Sequence, residues 1–246
     1  MAREFDAGSS QYLSVNQVPV TGHPMTVSCW FYVFDVDTRY NLITLADLSS
    51  SDSYIYLFAR GDLADDPINV MERGRSDGGV AYAYSFTANA WHHACAVLYG
   101  TTSRYVYLDG IAGAEGTDGC HHPTGLDNTT IGGDQIAGTP ENFTDGRIAE
   151  VGMWDTTLTD AEVASLAAGY CPLFVRPQNL VAYWPLIRDR DIDIVGGYDL
   201  TAYGSPTIAA HCPIMRPIAP QVIIPHAAAG SNIPVIMQHY KKMRVA

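Results

Sequence analysis

Lysine is almost missing from this chain: two of its 246 residues, Lys241 and Lys242, both close to the C-terminus. Charged residues of every kind amount to 16%, too few for a coiled coil or for a chain kept disordered by charge. No apolar run approaches the roughly 20 residues that a membrane-spanning helix needs, so membrane insertion is excluded as an expectation. Positive charge is scarce as well. A net charge of -12 excludes nucleic acid as a partner, because a phosphate backbone demands a positive surface. The five cysteines, Cys29, Cys95, Cys120, Cys171 and Cys212, are odd in number and lack C-x-x-C spacing. They make neither a disulfide framework nor a zinc site, and Cys29 and Cys95, set in apolar runs, read as small core residues. The opening residues Met1-Ala2-Arg3-Glu4-Phe5-Asp6 carry no apolar export segment, so assembly in a reducing cytosol is expected.

What is plentiful points to strands. Apolar residues reach 47%, tyrosine alone numbers 15, and 22 glycines and 14 prolines punctuate the chain. Met25 to Phe34 is apolar on both faces, Val27, Cys29, Phe31 and Val33 on one and Trp30, Tyr32 and Phe34 on the other, which predicts a central strand covered on both sides. Further strands are expected at 11–15, 41–46, 54–59, 68–73, 80–86, 91–99, 104–108, 128–132, 147–154, 180–186, 198–202 and 207–210. Asp77-Gly78-Gly79 reads as a turn, and Asp109-Gly110 as the two-residue turn of a hairpin joining Tyr105–Leu108 to Ile111-Ala112. One helix is expected, opened by the capping box Thr159-Asp160-Ala161-Glu162 and ended by Gly169. The fold class is therefore all-β: a sandwich or a barrel of many short strands, with one short helix.

The C-terminal stretch differs in character. All 26 acidic residues lie at or before Asp199, whereas Arg216, Lys241, Lys242 and Arg244 lie beyond it. Residues 1–212 are expected to form the domain, and the Pro-rich residues 213–246 an extended arm that docks on a partner. In that arm Ile223, Ile224, Ile233, Val235 and Ile236 would add a strand or fill pockets, and Lys241, Lys242 and Arg244 would meet acidic surface.

Several segments, in this order, resemble the laminin-G-like, concanavalin A-type jelly rolls. Phe5 to Val15 looks like that family's opening strand pair and Met25 to Phe31 its first long strand. Trp91-His92-His93-Ala94-Cys95-Ala96-Val97, followed by Tyr105 to Gly110, is the most recognisable pair. Ile131-Gly132-Gly133, Gly146 to Val151 and the helix after Leu158 continue the series, and Leu180 to Leu186 resembles a strand that usually opens such domains. The likeness covers residues 3 to about 212. It implies a two-sheet antiparallel jelly-roll sandwich, and leaves open whether the chain is a lectin, a glycosidase, an adhesion module or a structural protein.

Endo-glucanases of this fold carry alternating acids, Glu-x-Asp-x-x-Glu, on one strand, so that the carboxyls share a face. No segment matches; Glu72 and Glu150 each stand alone in a strand. His92 and His93 are neighbours in a strand, point to opposite faces, and are expected to be structural. Cys120-His121-His122, without a second cluster at zinc-like spacing, reads as a surface loop. No resident cofactor is expected. Calcium is the ion the resemblance brings, with Asp47, Asp52, Asp118, Asp127-Asn128 and Asp134 as loop candidates. Tyr54 with Tyr56 and Tyr82 with Tyr84 alternate, so each pair shares a face on which a sugar ring could stack.

The leading expectation is a non-enzymatic virion structural or decoration protein of a tailed phage, assembled in the host cytoplasm, displaying a lectin-like jelly roll and held by its arm. Its partners would be other virion proteins or copies of itself, and glycans of host or environment. The alternative is an extracellular calcium-dependent lectin outside any virion, and the third reading is a glycoside hydrolase.

Overall fold

The computed structural model describes residues 1–215. From Arg216 on, the expected arm, with Ile223, Ile224, Ile233, Val235, Ile236, Lys241, Lys242 and Arg244, lies outside the described residues. The chain opens with β1 (Ala2–Phe5), β2 (Tyr12–Val15), β3 (Met25–Val33), β4 (Arg39–Ala46) and β5 (Ser53–Arg60). It continues through β6 (Ile68–Gly74), β7 (Asp77–Ala83), β8 (His92–Gly100), β9 (Ser103–Leu108), β10 (Ile111–Ala112) and β11 (Asn128–Ile131). It closes with β12 (Gly146–Trp154), the helix α1 (Asp160–Ala167), β13 (Leu180–Trp184), β14 (Thr201–Tyr203) and β15 (Thr207–Ala209). Two antiparallel sheets result. The first runs β10-β9-β8-β3-β12-β1-β15, with β13 taking the second half of β12; the second runs β14-β2-β11-β4-β5-β6-β7.

Alternation explains the sandwich. Met25, Val27, Cys29, Phe31 and Val33 of β3 enter the core between the sheets, where Leu45, Ile55, Leu57, Val70, Val106 and Ile148 meet them. The opposite face of β3 is covered as well, Trp30 being buried with Ala2, Ala149 and Cys212. Beside it the first sheet is roofed by α1, whose Val163 and Leu166 pack with Leu158 on Cys95, Val97, Tyr107 and Trp154. Burying one such large side chain contributes on the order of 2–3 kcal/mol. The capping box forms as expected: the Thr159 N–H and Oγ1 both donate to Glu162 Oε2 at 2.8 Å. The Asp109-Gly110 turn has φ of 50° and 81°, the pair of positive values a type I′ hairpin requires. All five cysteines are free thiols, Cys29 and Cys95 buried.

Two expectations are corrected. Asp77-Gly78-Gly79 is the start of β7 rather than a turn. Its glycines leave room for a side chain: a Cβ on Gly79 would stand 2.2 Å from an Arg104 guanidinium nitrogen. The strand expected from Tyr198 begins instead at Thr201. The carboxylate of Asp193 accepts the backbone N–H groups of Tyr183, Val195, Gly196 and Tyr198 at 2.8–3.1 Å, so a side chain replaces a strand partner there. At the other end of the described chain, Met215 donates its N–H to Gly169 O at 2.6 Å, and Ile214 packs on the roof of the first sheet.

Candidate functional site

β9 is the strand on which both candidate sites are built. Ser103, Tyr105 and Tyr107 point outward from the first sheet, while Arg104, Val106 and Leu108 point between the sheets. The outward row, with Tyr99 of β8, Ala112 of β10 and Asp160 of α1, lines an open cavity of about 370 Å³. Tyr99 is 47% exposed and meets Tyr105 edge to face at 6.0 Å. At the floor, the Tyr107 hydroxyl donates to Asp160 Oδ1 at 2.7 Å. At the rim, Ser103 Oγ donates to Glu115 Oε1 at 2.6 Å, and the Glu115 carboxylate also holds the Tyr105 hydroxyl, which pushes that phenol's pKa up. The result is aromatic surface edged by two carboxylates, the chemistry that stacks on the C–H face of a sugar ring and accepts from its hydroxyls. A second cavity of about 360 Å³ lies between Pro185 and Ile194, lined by Arg188 and Arg190 among apolar side chains.

The tyrosines singled out from the sequence do share faces but differ in access. Tyr54 and Tyr56 stack at 4.4 Å and are buried with Phe58, and the Arg39 guanidinium lies 4.8 Å from the Tyr56 ring centre. Tyr82 and Tyr84, 42% and 56% exposed, meet at 5.2 Å near the end of β7. The row Tyr99, Tyr105 and Tyr107 was not singled out, although the alternation Tyr105-x-Tyr107 was its signal. The acidic loop candidates are engaged separately. Asp47 accepts from the Ser49 N–H at 2.7 Å, Asp52 pairs with Arg73 at 2.8 Å, and the Asp118 carbonyl accepts from Arg104 at 2.9 Å. Asp134 is buried, accepting from Asn41 at 2.6 Å and Asn142 at 2.8 Å; burial pushes its pKa up against the pull of Asn142 and Arg39.

On the inner side of β9 stands a cluster whose members are far apart in the sequence. Glu72, at the end of the inward row Ile68, Val70, Glu72 of β6, is fully buried. His23 Nε2, from the β2–β3 loop, lies 2.9 Å from its Oε1, and His122 Nδ1, from the β10–β11 loop, lies 3.0 Å from the same oxygen. The two imidazoles sit 4.6 Å apart, centre to centre. On the carboxylate's far side Arg104 Nε stands 3.9 Å from Oε2, and the guanidinium is tied to Thr101 O, Asp118 O and Cys120 Sγ. Burial would raise the Glu72 pKa, yet the hydrogen bond from His122 and the charge of the two nearby imidazoles outweigh it and lower it to about 2. Thus His122 of the supposed surface loop faces inward, while His121 is exposed and pairs with Asp77 at 2.7 Å. Among the described residues, His23, Glu72 and His122 are the set whose ligand atoms all lie within 4.8 Å of one another.

Glu150, the other lone strand acid, sits where the β12–β3 register shifts, at a φ of 54°. It is 1% exposed, accepts a short hydrogen bond from the Tyr183 hydroxyl and faces His211 Nε2 at 3.2 Å. Of the paired histidines, His93 is buried edge-on to Trp30, and His92 Nδ1 donates to Asp109 at 2.7 Å, so both serve structure.

Comparison with known proteins agrees with this architecture. No curated protein matches the sequence. Among solved structures, the CBM40 of Ruminococcus gnavus IT-sialidase, bound to α2,3-sialyllactose, superposes with a TM-score of 0.52 at 13% identity, over 60% of this chain and 84% of that one. A leech intramolecular trans-sialidase gives 0.51 at 13% identity over 60% of this chain and 23% of its own. The NanB sialidase of Streptococcus pneumoniae gives 0.51 at 18% identity over 59% and 24%. The chain thus spans about a quarter of those two sialidases, and the shared feature is a lectin-like jelly roll. The family model for the concanavalin A-like lectin/glucanases superfamily, of laminin-G type, matches residues 7–164, and the chain belongs to that superfamily.

Proposed function

We propose that the protein is a non-enzymatic, lectin-like module that binds neutral glycans at the tyrosine cavity on the outer face of β8 and β9. The observation that carries this reading is the combination, in one open cavity of about 370 Å³, of the exposed Tyr99 ring with Tyr105, Tyr107 and Asp160 on a rigid sheet. The lining carboxylate of Asp160 and the neighbouring Glu115 disfavour an anionic sugar by charge, which is why the ligand class is neutral. The sialyllactose bound by the R. gnavus module belongs to that protein; at 13% identity its bearing on this chain is the fold. A non-enzymatic role is supported by the two strand glutamates, which occupy separate sites and are each engaged by other side chains. A glycosidase needs two carboxyls flanking one bond.

The virion location is part of the same proposal and rests on sequence: the acid-free, basic stretch after Asp199 suits docking on acidic surfaces such as the body of a neighbouring copy. Immunogold labelling of purified particles tests it, and absence from the particle overturns it. For the binding site the test is a glycan array followed by titration of the best ligand. Tyr105→Ala is expected to weaken a neutral glycan roughly 3–10-fold, the worth of one aromatic stacking contact. Selective binding of sialylated glycans alone, or binding indifferent to Tyr99→Ala and Tyr105→Ala, would reject this cavity in favour of the Arg188 and Arg190 cleft.

A further inference from the structure

We infer that His23, Glu72 and His122 form a binding site for a divalent transition-metal ion, of the zinc class, at the rim between the two sheets. Three observations converge. The first is the state of His122. Its Nε2 lies 2.7 Å from Thr21 O, a carbonyl that can only accept, so the ring proton sits on Nε2. Nδ1 is thereby aimed at Glu72 Oε1, 3.0 Å away, where a charged ring donates a proton to the carboxylate and a neutral ring presents a lone pair that can take an ion in the proton's place. This is the usual arrangement of a metal-bound histidine, whose second nitrogen is anchored to a backbone carbonyl.

The second observation is that His23 Nε2 and Glu72 Oε2 are both buried and make no hydrogen bond, although His23 Nε2 lies 2.9 Å from Glu72 Oε1. The imidazole is close enough to share an ion with the carboxylate but is out of line for a proton. Third, the spacing fits. Ligand atoms around a tetrahedral zinc at bond lengths near 2.1 Å stand about 3.4 Å apart. The carboxylate-to-nitrogen separations of 2.9 and 3.0 Å reach that value when the rings move by a few tenths of an ångström.

Two imidazoles and one carboxylate suit zinc or a neighbouring first-row ion and are a poor set for calcium, which takes oxygen ligands. The three ligands come from the β2–β3 loop, β6 and the β10–β11 loop, so the ion would clip two rim loops onto the second sheet. The His23 and His122 side chains are 12% and 28% exposed, which leaves a path from solvent. Arg104 behind Glu72 lies 3.9 Å from the carboxylate and opposes the ion's charge, so binding is weaker than at a closed four-ligand site.

The test titrates zinc chloride into the full-length, chelator-treated protein by calorimetry and follows thermal melting. One equivalent is expected to bind, and at a free zinc concentration 100 times the Kd the melting temperature should rise by about 5–10 °C. His23→Asn and His122→Asn, both at the rim, should each abolish the shift, while His121→Asn should retain it. Cobalt(II) should give a tetrahedral visible spectrum without a thiolate charge-transfer band. Absence of heat and melting shift overturns the site. So does zinc binding that survives the His23→Asn/His122→Asn double variant, a thiolate band placing Cys120 on the ion, or a calcium-induced shift that His122→Asn removes.

Discussion

Glu72 and Glu150 are a matched pair with opposite fates. Each is the single acid of its strand, each is essentially inaccessible, and each meets a histidine within about 3 Å. Glu72 is surrounded by basic groups, two imidazoles and a guanidinium, at a rim that solvent reaches. Glu150 is sealed on the roofed side of the first sheet by the Tyr183 hydroxyl and His211, with the Cys212 thiol, whose pKa is pushed up by burial and by the carboxylate's charge, beside it. A carboxylate engaged at a solvent-reached rim is the one that an incoming cation can reach and rearrange.

The comparison breaks first at Arg104. Arg104→Ala removes the guanidinium that faces Glu72 and binds three loop acceptors, leaving a buried carboxylate short of positive charge; a loss of about 3–5 kcal/mol in urea unfolding is expected. A loss below about 1 kcal/mol would mean that the two histidines alone satisfy Glu72.

A third buried ionisable group, His93, sharpens the contrast because its charged form is poorly served. It is fully buried against Trp30, and desolvation lowers its pKa to about 4, with Asp109 pulling weakly the other way. The unfolded chain, with a histidine near 6.5, therefore binds more protons than the folded one between pH 6.5 and 4. Stability is full above pH 6.5 and falls as pH drops toward 4, by about 3 kcal/mol. Urea unfolding of wild type and His93→Gln at pH 7 and pH 4 isolates this contribution, and equal pH slopes in the two proteins would refute it.

At Glu150 the expected effect is smaller. Glu150→Gln keeps the shape and trades a charge-assisted hydrogen bond from Tyr183 for a neutral one, costing about 2 kcal/mol. Zinc binding should be unchanged in this variant and absent in Glu72→Gln, as read by calorimetry. Equal effects of the two substitutions on metal binding would dissolve the distinction between the two glutamates. Smallest of all is Tyr99→Ala, whose ring is half in water: unfolding should shift by no more than about 0.5 kcal/mol while glycan affinity falls.

The jelly roll was largely legible in the sequence because it rests on local signals. Alternation over Met25 to Val33, the positive-φ Asp109-Gly110 pair and the Thr159 to Glu162 box each report a structure a few residues long. The resemblance stated on Trp91 to Val97 and Tyr105 to Gly110 then ordered them. The rim cluster was not legible, because its members stand far apart in the chain and meet through topology. Read singly, His122 was a loop residue, Glu72 a lone acid, and His23 drew no notice. A signal was present all the same: Glu72 ends the inward row after Ile68 and Val70, and Arg104 begins the inward row before Val106 and Leu108. Opposite charges in two core-facing rows, with Gly79 directly across from Glu72, mark a place where the sandwich makes room for chemistry.

The sandwich is also stitched along both flanks. On one side consecutive short strands belong to different sheets, β1 and β2 at the start and β15 and β14 near the end of the described chain. On the other, the stretch after β10 bridges Ala114 to Tyr82 of the second sheet and Gly116 to Arg104 of the first. Outermost ribbons of two or three residues, β10, β14 and β15, offer little unpaired main chain to a foreign strand, and β7 is partly occupied by that bridging stretch. A module built in this way can be crowded at high local density without its sheets fusing into fibres.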